Sequence, residues 1–257
     1  MCLIAFSINQ NRHFPLVVAA NRDEFFRRPT AGMDWWTPAQ GEPVLAGRDL
    51  ESGGTWLAIT PRGEVTAVTN VREGSAEPGQ RSRGELPLRA LASDTDTLQA
   101  SLDREANAYS GFNLVRLSTA GGWYYSNRDA HPGRHLYRGI YGLSNHLLQT
   151  PWPKLLRLRS AFTETLEQAE GSPQALHEQL LELLQDTTPA PDDQLPDTGV
   201  GLATERFLSS PFIKGDDYGT RATTLFTLSQ DGAIHVTEQS WGPGAVPLET
   251  RQFHWQR

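Results

Sequence analysis

The residue best suited to covalent chemistry is a cysteine at position 2, directly after Met1. A small side chain at position 2 permits removal of the initiator methionine, which would place the thiol beside its own free α-amine. An α-amine has a reference pKa of about 7.7–8.0, near neutrality, and a thiol about 8.5, so the amine can serve as base for the adjacent nucleophile. The sequence predicts Cys2 as an N-terminal nucleophile, and the alternative is a small apolar residue that begins a buried strand.

Polar side chains end several of the apolar segments that read as strands. Arg22 and Asp23 follow one such segment. A carboxylate there can hold the α-amine of Cys2, and a guanidinium can lower the pKa of its thiol. The amides of Asn70 and Asn145 are suited to donate to a developing oxyanion, and Arg221 directly precedes a late apolar strand. Taken one at a time, these strand-end residues are more often structural than functional.

The composition excludes several classes of protein. The 257 residues carry 23 Lys and Arg against 30 Asp and Glu, a net charge of −7, which disfavours a general nucleic-acid binder because phosphates require a basic surface. A hydrophobic fraction of 38% suffices for a core, so a disordered chain is excluded. The single cysteine cannot form an intrachain disulfide or a CxxC zinc site.

The sequence pattern also indicates no secretory signal and no membrane span. The first residues lack the basic start and the longer apolar segment of a secretory signal. No segment approaches the roughly 20 apolar residues of a membrane span. We therefore expect a cytoplasmic protein without an integral membrane segment.

Hairpin patterns dominate the first 70 residues. Apolar segments at 3–8 and 16–20 flank a polar turn, and those at 55–60 and 64–70 flank a Pro-Arg-Gly turn. Later segments alternate between helical spacing and strand patterns. The helical ones fall within 84–106, 155–169 and 176–184, and the strand patterns at 112–117, 123–126, 135–141, 223–228, 234–239 and around 253.

The order of these elements predicts an α+β architecture. Hairpins imply antiparallel sheets, and amphipathic helices need a sheet face to cover. Two antiparallel sheets packed face to face with helices outside would satisfy both, although other α+β arrangements fit the pattern as well. Residues 187–201 lack periodicity and predict a loop or flap. The pocket is expected to take its shape from the loops 24–43, 71–83 and 187–217.

Seven segments occur in order along nearly the whole chain: MCLIAF at 1–6, ANRDEFFRRP at 20–29, GGTWLAIT at 53–60, VTNVRE at 68–73, SRGEL at 82–86, YGLSN at 141–145 and YGTRATT at 218–224. They resemble the NRDE family, which is the family of the Transport and Golgi organisation protein 2. The resemblance implies the four-layer αββα sandwich of N-terminal-nucleophile hydrolases, an α+β fold, as a single domain over residues 1–257.

Within that superfamily, the cholylglycine hydrolase and penicillin V acylase group is similar in its site. The resemblance implies a catalytic set of Cys2, Arg22, Asp23, Asn70, Asn145 and Arg221. In that group the arginine and the aspartate are two residues apart, whereas here they are adjacent. Neighbours on a strand point to opposite faces. Both side chains can therefore face Cys2 only if the strand ends or bulges there, and Asp23 is the safer assignment.

The resemblance also implies a competing function, because the family has been linked to intracellular haem trafficking and lipid homeostasis. A haem carrier needs an apolar slot and an axial ligand such as a histidine or a thiolate. Besides the thiol, the candidates are His131, His135 and His146. The first two are expected at the surface, and the third follows a predicted site residue. Trp35 and Trp36 would line either a haem slot or an acyl pocket.

The preferred hypothesis is a cysteine-nucleophile hydrolase or acyltransferase. Its ligand would be an amide or thioester of a small apolar or acyl molecule, and its reaction would need no metal or cofactor. The alternatives are a non-enzymatic carrier that binds haem or a lipid in the same pocket, and an interaction protein whose site is a relic.

Overall fold

The structure is a computed structural model that describes residues 3–39, 41–74 and 79–257. The strands are β1 (Leu3–Ile8), β2 (Leu16–Phe25), β3 (Thr30–Trp36), β4 (Val44–Asp49), β5 (Leu57–Ile59), β6 (Val65–Asn70), β7 (Phe112–Ser118), β8 (Gly121–Ser126), β9 (Arg134–Leu136), β10 (Gly139–Leu143), β11 (Tyr218–Leu228), β12 (Ala233–Gly242) and β13 (Val246–Gln256). The helices are α1 (Leu86–Ala92), α2 (Thr95–Glu105), α3 (Pro153–Gln168), α4 (Pro173–Leu184) and α5 (Leu202–Phe207).

The strands form two antiparallel sheets. The first sheet has the order β10-β1-β2-β11-β12-β13, and the second runs β3-β4-β5-β6-β7-β8-β9. The predicted hairpins are present, since β1 pairs with β2 and β5 pairs with β6. Strand β2 lies in the middle of the first sheet and β6 in the middle of the second. The ends of these two central strands carry most of the predicted site.

The apolar side chains are divided among three layers of core. Residues of both sheets, among them Phe6, Val18 and Leu57, form the layer between the sheets. The other face of the first sheet packs against α3 and α4, and the other face of the second packs against α1 and α2. Alternation along β2 shows the division, because Val18 belongs to the inner layer and Val17 to the helix-facing layer. The structure therefore confirms the four-layer αββα sandwich.

Helix starts follow local capping. The Ser172 hydroxyl accepts the N–H of Ala175 at the start of α4, and the Asp94 carboxylate accepts the N–H of Thr97 at the start of α2. Proline stands in the first turn of both α3 and α4, where its missing N–H would have no helical partner. Of the described helices, none combines the length and the apolarity needed to cross a bilayer.

Two of the predicted boundaries are wrong. The segment 135–141 is not one strand, because β9 pairs with β8 of the second sheet and β10 pairs with β1 of the first. The exposed residues Tyr137 and Arg138 carry the chain between the sheets. The segment 24–43 is not a loop throughout, because it contains the end of β2 and all of β3. Strand β3 has a register shift between Ala31 and Asp34, which interrupts its strand pattern.

Candidate active site

Two pockets adjoin where β2 and β6 end. The first, with a volume of about 410 Å³, is called here the arginine pocket, and its lining includes Arg22, Arg28, Trp56, Asn70, Arg81 and Arg83. The second, of about 330 Å³, is called the asparagine pocket, and its lining includes Asp23, Asn70, Arg72, Asn145, Leu208 and Tyr218. Asn70, Arg83 and Ser110 line both pockets. The two spaces therefore meet at the end of β6.

Arg22 and Asp23 line different pockets, as strand alternation predicts. The Arg22 guanidinium lies between the sheets, with its Cζ 4.1 Å from the centre of the Trp56 ring. The Asp23 carboxylate accepts a hydrogen bond from Thr220 Oγ1 at 2.7 Å. Each of the two residues is only 4% exposed. Adjacent buried residues thus supply a cation to one space and an acid to the other.

Arg221 lies at an irregularity of β11. Thr220 pairs with Asp23 and Ala222 with Arg22, so Arg221 is the extra residue of a bulge. Its guanidinium donates to the carbonyl oxygens of Phe25 at 3.1 Å and Arg28 at 2.5 Å. Burial lowers the pKa of Arg221. The side chain closes the turn after β2 and is not among the residues that line either pocket.

The two predicted oxyanion donors lie next to each other. Asn145 Nδ2 donates to the backbone carbonyl of Asn70 at 3.1 Å, and the carbonyl of Asn145 accepts the Arg72 N–H at 2.7 Å. Asn145 is 6% exposed. A primary amide carries two N–H donors, so the bond to Asn70 leaves Asn145 a second donor. The two asparagines are positioned by the two different sheets, because one ends β6 and the other follows β10.

A buried polar network supports the Asn145 turn. Thr69 Oγ1 donates to the Ser144 carbonyl at 2.9 Å. Asn113 Nδ2 donates to Thr69 Oγ1 and to the His146 carbonyl, both at 3.0 Å. Tyr124 donates its hydroxyl to Asn113 Oδ1 at 2.8 Å. Sequence reasoning missed this network, and the only signal for it is a polar Asn113 within the apolar strand FNLVRL.

The arginine pocket has a positive excess. Four of its lining residues are arginines, and its acidic lining residues are Glu24 and Asp49. Arg28 Nε lies 2.8 Å from Asp49 Oδ2. Burial opposes the charged form of Asp49, yet the hydrogen bonds from Arg28 and the backbone lower its pKa below the usual value. Such a field would lower the pKa of a thiol placed at the pocket and favour its thiolate.

The predicted nucleophile, Cys2, lies outside the described residues. Strand β1 is described from Leu3, which pairs with Asn21 on β2. Arg22 and Asp23 are the next residues along β2. The cluster of predicted site residues therefore lies at the end of the β1–β2 hairpin where β1 begins.

The predicted haem ligands are dispersed. His131 and His135 are exposed, the first in a turn after β8 and the second on β9. His146 lies next to Asn145, but its Nδ1 is 2.9 Å from Thr150 Oγ1. Its ring packs against Trp152, with the ring centres 5.8 Å apart. None of the three lines either site pocket. Among residues 3–39, 41–74 and 79–257, no three His, Cys, Asp or Glu side chains come together in a way that could hold a metal.

The two tryptophans of β3 also lie apart from the pockets. Trp35 is 38% exposed and packs edge to face on Trp255, with ring centres 5.1 Å apart. Trp36 Nε1 donates to the Ala46 carbonyl at 3.1 Å, and its ring lies against the Arg48 guanidinium. The pair therefore divides between two faces of its strand and does not form one slot.

Comparisons with known proteins identify the family. The family model described as Transport and Golgi organisation 2 matches residues 1–243. The Transport and Golgi organization 2 homolog of Mus musculus is 36% identical over 262 residues, which cover 93% of this chain and 93% of that protein. The Homo sapiens homolog is 36% identical over 275 residues, covering 100% of this chain and 96% of that protein.

Solved structures are also similar, among them the mutant C2A conjugated bile acid hydrolase from Clostridium perfringens, with 8% sequence identity and a TM-score of 0.48, over 100% of this chain and 97% of that one. A likeness this distant carries no argument about activity. The family match and the identity to the curated relatives show the family, and they confirm the resemblance inferred from the seven segments. The chain belongs to the Transport and Golgi organisation 2 family.

Proposed function

We propose that the chain is a cysteine-nucleophile hydrolase or acyltransferase that acts on an amide or thioester of a small apolar or acyl ligand. One observation carries the proposal. Asp23, Asn70 and Asn145 line one pocket, and Arg22 lines the pocket that adjoins it, beside the point where β1 begins. An acid, two amides and a cation are the groups that an N-terminal cysteine would need around it.

The proposed reaction has two halves. Once Met1 is removed, the Cys2 α-amine takes the thiol proton, and Sγ attacks the carbonyl carbon of the ligand. The developing oxyanion accepts hydrogen bonds from the amides of Asn70 and Asn145. The intermediate collapses, the protonated amine gives its proton to the departing amine or thiol, and an acyl-thioester remains on Cys2. Water, or a second acceptor in a transferase, attacks that thioester and releases the acyl group.

The remaining groups have supporting roles in this mechanism. Asp23 would orient the α-amine, and Thr220 fixes the carboxylate by its hydrogen bond. Arg22, held against Trp56, would favour the thiolate. Arg221 would act only through the turn after β2, because its guanidinium donates to the carbonyl oxygens there.

The test begins with the intact mass of protein expressed from its own start codon. Loss of Met1 is expected, because the mechanism requires a free amine on Cys2. The protein is then given p-nitroanilides and N-acetylcysteamine thioesters of butyrate, octanoate and dodecanoate. We expect release of p-nitroaniline or thiol and an acyl adduct on the Cys2 peptide. Cys2→Ala should abolish turnover without unfolding the protein, and Asn70→Ala should lower kcat by about 10²–10³-fold.

The same preparations can overturn the proposal. Retention of Met1 on an active enzyme, or full turnover by Cys2→Ala, would exclude the mechanism. Titration with haem provides the alternative outcome. A shifted Soret band that depends on Cys2 or His146, together with no turnover on any of the six compounds, would favour the carrier hypothesis.

A further inference from the structure

A long irregular segment covers the asparagine pocket. Residues 187–217 contain one 3₁₀ turn and the short helix α5, and the rest has no regular structure. Leu208 and Ile213 of this segment line the pocket. Binding and catalytic residues occur disproportionately on connecting segments that a rigid scaffold positions. The contacts that hold this segment in place therefore matter for the site.

One buried ion pair joins the segment to the end of β6. Arg72 Nη1 lies 2.6 Å from Glu205 Oε2, and the two side chains are 8% and 2% exposed. Arg72 Nη2 donates to the Leu208 carbonyl at 3.5 Å, and its Cζ lies 4.8 Å from the centre of the Trp152 ring. The guanidinium thus connects the strand end to α5 and to the residue at the start of α3.

Glu205 extends the connection to Thr198, in the part of the segment that precedes α5. Its Oε1 accepts the Thr198 N–H at 2.9 Å and the Thr198 hydroxyl at 2.6 Å. The Thr198 carbonyl in turn accepts the N–H of Gly74 at 2.8 Å. A Cβ on Gly74 would collide with the Gly199 carbonyl, so this close approach of two backbones requires glycine. One carboxylate therefore holds Thr198 and Arg72 together.

The same arginine also contacts the predicted oxyanion pair. Its backbone N–H donates to the Asn145 carbonyl at 2.7 Å, and Asn145 Nδ2 donates to the Asn70 carbonyl. Arg72 is two residues beyond Asn70 in the chain. One residue therefore contacts the covering segment through its guanidinium and the asparagine pair through its backbone.

We propose that Arg72 is a positioning residue, whose guanidinium holds segment 187–217 on the asparagine pocket through Glu205 and Leu208 and thereby fixes the Asn70–Asn145 pair. The catalytic consequence rests on the proposed function, whereas the mechanical coupling does not. A lysine at this position keeps the charge but loses the planar fork that reaches both Glu205 and Leu208.

The coupling is tested by amide hydrogen exchange on the full chain without any ligand. The reporters are the N–H groups of Arg72, Gly74 and Thr198, each of which donates within the connection. In Glu205→Gln and in Arg72→Lys we expect these three amides to exchange at least about 10-fold faster than in the parent protein, because local opening becomes easier. The matched control is Arg116→Met, which breaks an ion pair with Glu64 on the second sheet, at residues that line neither site pocket.

A double variant separates a linked pair from two independent effects. If the two residues act through each other, Arg72→Lys/Glu205→Gln should exchange no faster than the worse single variant. Exchange at the parental rate in both single variants would overturn the coupling. So would an equal acceleration in Arg116→Met.

Kinetics on the thioesters then test the catalytic consequence. We expect Arg72→Lys to lower kcat about 10-fold with little change in KM, since misplaced oxyanion donors weaken only the transition state. A raised KM with unchanged kcat would overturn the positioning role. The hydrogen-exchange result would still decide whether the segment and the strand end are coupled. If the parent protein and Cys2→Ala are equally inactive, the proposed function fails, and hydrogen exchange alone still decides the coupling.

Discussion

Two buried carboxylates of this molecule lie in very different surroundings. Glu205, 2% exposed, has a guanidinium on one oxygen and the backbone and hydroxyl donors of Thr198 on the other. Glu238, 1% exposed, faces the space between the sheets. Its Oε1 accepts the Met33 N–H at 2.6 Å, and its Oε2 has no hydrogen-bond partner among the described residues.

The difference shows that the partners, and not the depth of burial, decide how an acid is accommodated. Burial raises the pKa of Glu238 to about 7, although the Met33 N–H and the charges of Arg251 and Arg22 act to lower it. The first carboxylate has a cation within hydrogen-bond distance, whereas the hydrogen bond to the second comes from a backbone N–H. The space between the sheets therefore contains a group, Glu238, whose pKa lies near neutrality. The covering segment is instead held by the ion pair of Arg72 and Glu205.

Breaking the ion pair should have the largest effect. Arg72→Met leaves the Glu205 carboxylate buried without its cation, so we expect the free energy of unfolding to fall by about 3–5 kcal/mol. Urea denaturation of the variant measures this loss. Arg116→Met is the matched control, because its ion pair with Glu64 is more exposed and should contribute about 1 kcal/mol or less. Equal losses in the two variants would contradict the special position of the buried pair.

Neutralising Glu238 should raise the free energy of unfolding at high pH, whereas breaking the Arg72–Glu205 ion pair should lower it. The folded-state pKa of Glu238, about 7, lies above the ordinary value of 4.5. The native protein therefore holds this proton after the unfolded chain has released it. Stability then falls as the pH rises from about 4.5 to about 7. Glu238→Gln should remove that dependence and stabilise the protein at pH 8 by roughly 3 kcal/mol relative to its effect at pH 4.5.

Denaturation of both proteins across this pH range tests the prediction. Glu249→Gln serves as control, because that carboxylate is on the neighbouring strand and is largely exposed. A parallel pH dependence in Glu238→Gln and the parent protein would show that Glu238 is not the titrating group.

The smallest effect is expected at Arg251, which contacts Met33 at the register shift of β3. Its Nη1 donates to the Met33 carbonyl at 3.0 Å. Arg251→Met removes this bond and a cation near Glu238, so we expect a loss of about 1 kcal/mol in stability and a further rise of the Glu238 pKa. Carbon NMR of the Glu238 carboxyl during a pH titration measures the second effect. An unchanged or lower pKa would show that Arg251 exerts no field on this acid.

Local patterns predicted most of the strands and helices, whereas the four-layer arrangement came from the family resemblance. The hairpin of β1 and β2 follows from two apolar segments around a polar turn, and α3 from leucines at helical spacing between a proline and a glycine. Strand β3 was missed because its register shift after Ala31 breaks the alternation. The division of 135–141 between two sheets was also missed, since a strand pattern does not say which sheet a strand will join.

Local patterns also predicted only part of the candidate site. Alternation along β2 predicted that Arg22 and Asp23 face apart, and the structure has them in different pockets. The adjacency of Asn70 and Asn145, by contrast, came only from the family resemblance, because the two residues lie on different sheets. No local signal marks the pair of Arg72 and Glu205, which are 133 residues apart. Such contacts depend on how the layers pack and not on the spacing of residue types.

The order of Arg22 and Asp23 along β2 has a further consequence. Because Arg22 and Asp23 face opposite sides of one strand, exchanging them would leave the composition and net charge of the chain unchanged. It would nevertheless move an acid into the arginine pocket and a cation into the asparagine pocket. A slip of one residue in the register of β2 would do the same. The charge that β2 contributes to the arginine pocket and to the asparagine pocket therefore depends on the order of two adjacent residues.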